Sequence, residues 1–431
     1  MMADPWKFER LPTSKFELTP SQPDLTSIDH LFRHESGKMV AVLTKLFGFD
    51  QLEVAEDLVQ DTFIRAFETW KFKGTPDDPL AWLYTVAKNK ATDYVRRQQT
   101  RRKVDETIKT AIPVEYTITA HLEKAFQDIQ DSQLQLLFGV CHPSIPEEAQ
   151  LALALKTLGG FGIQEIASAF LTNKEVINKR LFRAKQKIRN EGIRLEIPTS
   201  GHLQDRTGSV LKTIYLMYNE GYHSASQEVV MRKDLCLEAM RLALLLEQSD
   251  LPVTEDCSAL LALMCFHTSR FESRMNELGD LIPWSQQDQS RWNQELIERG
   301  LGYLQRLHLD ELSSAYQLEA AIAYFHTLED HQEKWEGLLA LYRRLSKVKN
   351  SPMVRLNETY VMSKVAGPER ALAMLDSLKD LNNHYLYYAL KGDILTADHP
   401  DEARKALDRA IAMAPLEAEK KVLKVKKARL T

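Results

Sequence analysis

Apolar residues recur at three- and four-residue spacing along almost the whole of this 431-residue chain, and strict alternation of β-branched residues is nearly absent. That periodicity leaves one face of a helix to bury and gives a sheet nothing to bury, so the chain is expected to be all-α. Glycine is sparse, at 17 residues, which fits long helices joined by short turns. A chain of this length usually divides into about two to four domains. The spacing predicts a first helical block from about Ser27 to Lys103, then a polar stretch containing Pro113 to about Asp131. A second block runs from about Ser132 to Gly192 and ends near Pro198, Ser200 and Gly201. From about His202 onward, helical patterns are broken at Pro252, Pro283, Pro352, Pro368 and Pro400.

Several function classes fall away on composition. No apolar run approaches the roughly 18 residues that would span a bilayer. Met1 to Leu25 has neither the basic stretch nor the apolar core of a secretory signal and carries Pro5, Pro12, Pro20 and Pro23, so it reads as a flexible leader. The four cysteines, Cys141, Cys236, Cys257 and Cys265, form no Cys-x-x-Cys, which points to a reducing compartment, the cytoplasm, without disulfides or a structural zinc. His30 and His34 stand at helical metal-ligand spacing without a third ligand. Cys141-His142-Pro143 reads as a buried thiol beside a turn. No phosphate-binding glycine loop or nucleophile elbow occurs, so no enzyme, cofactor or metal is expected.

The formal net charge of −4 conceals two basic blocks, Lys88 to Lys103 and Lys179 to Arg189. In Ala55 to Trp70, the residues Val59, Phe63, Ala66, Phe67 and Trp70 share an inward face, which leaves Asp57, Asp61, Ile64 and Glu68 opposite. Such an acidic face is either a solvated helix surface or a docking face for a basic partner. The next helix, capped by Asp78 and Pro79, is expected to bury Leu80, Leu83, Ala87, Ala91 and Tyr94. Its outer side carries Trp82, Thr85, Asn89, Thr92, Asp93 and Arg96, a set that suits unpaired bases, because aromatic faces stack and guanidinium neutralises phosphate. A basic helix end can equally be compensation of the helix dipole.

Ile163 to Phe170, a turn over Leu171 to Lys174, and Glu175 to Arg189 form a helix-turn-helix pattern or an ordinary charged hairpin. Ile177, Leu181, Ala184 and Ile188 make the inner seam, so Lys179, Phe182, Arg183 and Gln186 point away, as a major-groove helix requires. Farther on, "YYALKGDILTADHPDEARKALDRAIAMAP" reads as a tetratricopeptide unit: Gly392 lets two helices approach, Ala403, Leu407 and Ala410 pack between them, and Pro415 closes it. A weaker pair spans about Leu318 to Leu345, and Val210 to Leu309 has no clean repeat, so an irregular array is expected. "YNEGYHSAS", Tyr218 to Ser226, is either a helix terminus over packed tyrosines or a contact surface.

The order "AEDLVQDTFIRAFETW", "DPLAWLYTVAKNKATDYVRRQ", a polar linker, then "GIQEIASAFLTNKEVINKRLFRAKQKIR" resembles regions 2 and 4 of sigma-70 factors of the extracytoplasmic-function (ECF) type. "CHPSIPEEAQLALALKTLGG", "IYLMYNEGYHSAS" and "WEGLLALYRRLSKVKNSPMVRLN" resemble the subgroup with a C-terminal tetratricopeptide-like extension. The resemblance implies a leader over 1–26, region 2 over 27–103, a linker over 104–131 along the RNA exit path, region 4 over 132–192 and a helical domain over 203–431. It implies a transcription initiation factor that binds core RNA polymerase through the β′ clamp and β flap, and promoter DNA. It also leaves room for a regulatory protein on the C-terminal domain, and involves no membrane.

Carried onto this sequence, the resemblance sets Asp57, Gln60, Asp61 and Glu68 against the clamp. Lys73 to Pro79 takes the place of the loop that pockets a flipped base. Trp82, Asn89, Asp93, Arg96 and Arg97 fall on the −10 element, and Lys174, Asn178, Lys179, Arg180 and Arg183 on the −35 element. The alternatives are a helix-turn-helix regulator that acts without polymerase, and a tetratricopeptide scaffold.

Overall fold

The computed structural model describes residues 28–105, 128–170, 172–198, 200–222, 232–252, 254–276, 282–308 and 311–430. The leader, most of the linker, Leu171 and the end of the Tyr218 to Ser226 string lie outside the described residues. Among the described residues every regular element is helical, as the periodicity predicts. Contacts divide the chain into two bodies: one reaches Gly221 and also takes in Leu237–Leu251, and the other holds Tyr222–Cys236 and everything from Pro252 on.

The first body is built around α1 (Ile28–Phe47). Met39, Val40, Ala41, Val42, Leu43 and Thr44 are consecutive and all buried, so this helix is covered on every side. One side takes α2 (Leu52–Lys73) and α3 (Pro79–Asp105). The other side takes α4 (Ile129–Val140) and α5 (Glu147–Thr157). Gly37 marks the closest approach, since a Cβ there would stand 2.0 Å from the Leu158 carbonyl oxygen at the end of α5. Only glycine fits such a contact.

Two further helices, α6 (Ile163–Ala169) and α7 (Lys174–Glu191), pack on α5. Arg33 of α1 pairs with Glu165 of α6 at 2.6 Å and lies 4.4 Å over the Phe161 ring. Glu35 is buried on α1 and accepts hydrogen bonds from Tyr84 at 2.8 Å and from Lys38 at 2.8 Å. The phenol of Tyr84 is held far above its ordinary pKa by burial and then by that carboxylate.

The first body continues past Pro198 and Gly201. Through Gly221, α8 (Ser200–Tyr222) belongs to the first body, with Val210, Leu211, Ile214 and Met217 buried. Its Arg206 donates to the Phe138 carbonyl at 2.6 Å, and Thr213 donates to Gln150 at 3.1 Å. From α9 (Lys233–Glu247), Arg241 pairs with Glu238 at 2.7 Å and reaches the Leu158 carbonyl at 3.4 Å.

The second body is a run of packed helices. Its centre is α10 (Glu255–Thr268), buried almost throughout and packed on α11 (Gln294–Leu304) and α12 (Ala315–Phe325). There follow α13 (Gln332–Val348), α14 (Pro352–Ala366), α15 (Pro368–Ser377), α16 (Tyr385–Leu395), α17 (Pro400–Met413) and α18 (Glu417–Ala428). Pro352, Pro368 and Pro400 stand in the first turns of their helices, where a missing N–H costs nothing. Gly392 packs under Leu407, whose Cγ would lie 2.7 Å from a Cβ, so α16 and α17 meet as the repeat pattern predicts. All four cysteines are buried free thiols, and Cys141 does sit beside a turn.

Candidate nucleic-acid interface

Along α2, Val59, Phe63, Ala66 and Trp70 are buried, while Asp57, Gln60, Asp61 and Glu68 are exposed together with Ile64. Phe67 corrects the sequence reading: it is 60% exposed rather than inward. Each helical residue turns about 100°, which carries Phe67 about 40° beyond Phe63 and off the buried stripe. The exposed face therefore combines carboxylates with two apolar side chains, and Phe72 just beyond is exposed as well. Asp61 lies 3.6 Å from Lys90 of α3, a separation at which two largely solvated side chains gain little.

Helix α3 starts as predicted. Asp78 Oδ1 accepts the Ala81 N–H at 2.9 Å. Leu83, Ala87 and Ala91 are buried, but Leu80 is 37% exposed and Tyr94 only half-buried, its ring tilted on Phe47. Trp82 also departs from the outward placement: it is half-buried, with its ring edge-on to Trp70 at 5.4 Å. One indole edge is thus fixed by α2. Asn89, Asp93, Arg96 and Arg97 are exposed, and Asp93 stands 3.8 Å from Arg96.

The helix-turn-helix pattern forms. Glu165 accepts the Gly162 N–H at 2.6 Å and so caps α6, while Asn173 caps α7 through the Val176 N–H at 2.9 Å. Lys174, read as part of the turn, is the first residue of α7. Ile177, Leu181, Ala184 and Ile188 are buried, and Lys174, Asn178, Lys179, Phe182, Arg183 and Gln186 are exposed. Arg180 differs, being half-buried against Glu148 of α5 at 2.6 Å.

The basic surface of α7 is split in two. Its outer side faces solvent, but Lys185 pairs with Glu56 of α2 at 2.6 Å and Arg189 with Glu53 at 2.7 Å. Sequence reasoning missed this second set. Acids three apart on α2 and bases four apart on α7 were visible, but their meeting across 129 to 136 residues was not.

Residues 31–101 match the model of Sigma-70 region 2, and residues 206–308 match a family of unknown function (DUF6596). An uncharacterized protein of Rhizobium meliloti is 34% identical over 372 residues, which is 85% of this chain and 87% of its own length. The ECF RNA polymerase sigma-E factor of Haemophilus influenzae is 26% identical over 174 residues, 39% of this chain and 89% of that protein. The chain belongs to the sigma-70 family. Another member, the ECF RNA polymerase sigma factor SigE of Mycolicibacterium smegmatis, is 27% identical over 179 residues, 41% of this chain and 66% of that protein. No solved structure matches. Within this sigma-70 family chain, region 2 as matched covers α1 through most of α3, so the acidic face of α2 and the polar face of α3 both lie inside it. The family of unknown function begins within α8. No described helix is long and apolar enough to cross a membrane.

Proposed function

We propose that this chain is an ECF-type transcription initiation factor in the cytoplasm. It binds core RNA polymerase, opens and reads a −10 element through α3, reads a −35 element through α7, and is modulated by a C-terminal tetratricopeptide-like domain. One observation supports this most: the first body displays an acidic, apolar-centred face on α2, a polar face on α3 and a basic, amide-bearing helix on α7. In this reading Asp57, Gln60, Asp61 and Glu68, with Ile64 and Phe67, meet the basic β′ clamp. Asn89, Asp93, Arg96 and Arg97 follow the melted −10 strand, and the solvent edge of Trp82 stacks on it. Lys174, Asn178, Lys179 and Arg183 enter the −35 major groove, where phosphate contacts position and amide and guanidinium groups read base edges. Arg180, turned toward Glu148, holds α7 on α5.

Reversing Asp61 and Glu68 to Lys puts two cations against the basic clamp, while both side chains are solvent-exposed and the ion pair that Asp61 makes with Lys90 is weak. Capture of core polymerase by the variant is expected to fall at least tenfold, about 1.4 kcal/mol or more, with an unchanged circular dichroism spectrum. Full holoenzyme assembly by the variant contradicts the assignment. A helix-turn-helix regulator acting alone would bind duplex DNA and capture no core polymerase even as wild type.

A further inference from the structure

A cation is seldom left buried without an anion to pair with. Lys334, in the second body, is only 1% exposed, and among the described residues no carboxylate stands within ion-pair distance of its ammonium group. That group donates to the Leu328 carbonyl at 2.8 Å and otherwise faces the rings of Trp284 at 4.7 Å and Trp335 at 5.5 Å. Two of its three N–H groups thus have no oxygen acceptor among the described residues. Lys334 also sits in the first turn of α13, where the helix dipole is already positive. Burial pushes its pKa down. The charge of Asp330 favours the ammonium form, but that carboxylate is exposed and accepts the Trp335 indole N–H.

Beside this ammonium group stand two buried nitrogens without partners, Trp284 Nε1 and His326 Nδ1, whose rings meet edge-on at 5.5 Å. Arg270, just past the end of α10, adds a second positive charge, and its field and that of Lys334 both act on His326. Its guanidinium donates to the Tyr222 hydroxyl at 2.8 Å and has no carboxylate partner among the described residues. It lies 6.0 Å from the ring of Trp292, a residue 4% exposed whose Nε1 is likewise buried and unpaired. Buried donors left unpaired are costly and rare. Among the described residues the second body has four such nitrogens, and three of them belong to this one neighbourhood.

We propose that the second body binds a small organic carboxylate at Arg270, Trp284, His326 and Lys334. The neighbourhood offers two positive charges and surplus donors, so what it lacks is an anion. The two spare N–H groups of Lys334, the Trp284 indole N–H and a His326 tautomer with its proton on Nδ1 make four donors, which matches the roughly four lone-pair positions of a carboxylate. A phosphate dianion brings more acceptor positions than these donors fill. Arg270 supplies the second charge, which strengthens hydrogen bonds to an anion. Depth sets the size: Lys334 lies too far inside for a side chain on another protein's surface, while half-buried Arg270 and Trp284 leave a small molecule a way in. Arg270, Trp284 and Trp292 fall within the stretch matched to the family of unknown function, so the site gives that stretch a chemical role. The inference concerns this body alone and does not rest on the polymerase reading.

The test uses the full chain with isotope-labelled tryptophan, so that each indole N–H gives its own magnetic-resonance signal, assigned with Trp284→Phe and Trp82→Phe. Acetate and benzoate are the probes, acetamide and benzamide their uncharged counterparts, and inorganic phosphate the competing anion. The Trp284 signal is expected to move saturably with at least one of the two carboxylates, while the signal of Trp82, in the first body, stays in place and the amides have no effect. Lys334→Met removes the charge and keeps an apolar chain in the buried space, so it is expected to leave the fold intact and weaken carboxylate binding at least tenfold. Arg270→Gln, which can still donate to Tyr222, is expected to weaken it at least threefold and gives a second variant should the first not fold. The proposal is overturned if neither carboxylate moves the Trp284 signal at tens of millimolar, if the amides move it equally, if phosphate binds more tightly than both carboxylates, or if the folded variants bind as wild type does.

Discussion

His326 shows what a single residue contributes to the second body. It ends α12 with its Nδ1 buried and its ring edge-on to Trp284 at 5.5 Å. Burial first, then the charges of Arg270 and Lys334, lower its pKa to about 3. The unfolded chain takes up this proton near pH 6.5 and the folded chain does not, so the contribution to stability is whole above pH 6.5 and is lost as pH falls. Between pH 6.5 and pH 5 the loss amounts to about 2 kcal/mol. Acid melting of the chain should show this sensitivity, and His326→Gln, which cannot protonate, should flatten it; equal acid sensitivity in the two proteins would assign the effect to other groups. Single residues were unevenly legible in the sequence. Ile177, Leu181, Ala184 and Ile188 are buried as their spacing implied, because the stripe faces the helices packed against α7. Phe67 and Leu80 sit at stripe edges, where the burial of an apolar side chain depends on how far the neighbouring helix extends, and that is not written locally.

Among the elements, α3 depends on how it begins. Asp78 satisfies the Ala81 N–H, and the helix then carries the polar face assigned to the −10 strand. Asp78→Ala should cost about 1 kcal/mol, read as a melting temperature lower by a few degrees with core binding intact. A stability within experimental error of wild type would mean that solvent caps this end equally well. Element type and order could be read from the sequence almost throughout, since helix caps, proline positions and apolar spacing are local signals. The partner of a helix's second face could not. Nothing near Lys185 or Arg189 reports that Glu56 and Glu53 wait on another helix, and a charged surface on a recognition-type helix reads the same whether it faces phosphate or carboxylate.

For the whole molecule, the instructive difference is where the first body ends. Pro198, Ser200 and Gly201 look like a linker, and a break near residue 203 follows from composition. The chain instead folds α8 back on α4 and α5 and adds part of α9. A fragment ending at Pro198 then lacks part of the first body. It should lose helix content and aggregate, because it strips the cover from Phe138 and Gln150, whereas a fragment ending at Leu251 should melt cooperatively. Circular dichroism and gel filtration of the two fragments decide the matter, and equal folding would show that α8 and α9 are dispensable to the body. Any comparison of transcription with and without the C-terminal half is sound only with the longer fragment.

The helix α1, buried all round, also constrains how a chain of this kind can change over generations. A replacement for α4 to α7 taken from a chain whose first helix has only one apolar side would meet α1 with the wrong surface. A change at Gly37 or Val42 must be tolerated on two fronts, and one at Leu158 must be matched across the seam. The outer face of α7, exposed at Lys174, Asn178, Lys179 and Arg183, can vary without a matching change on α1. Replacement of everything from α4 to α7 would have to bring its own first helix with it.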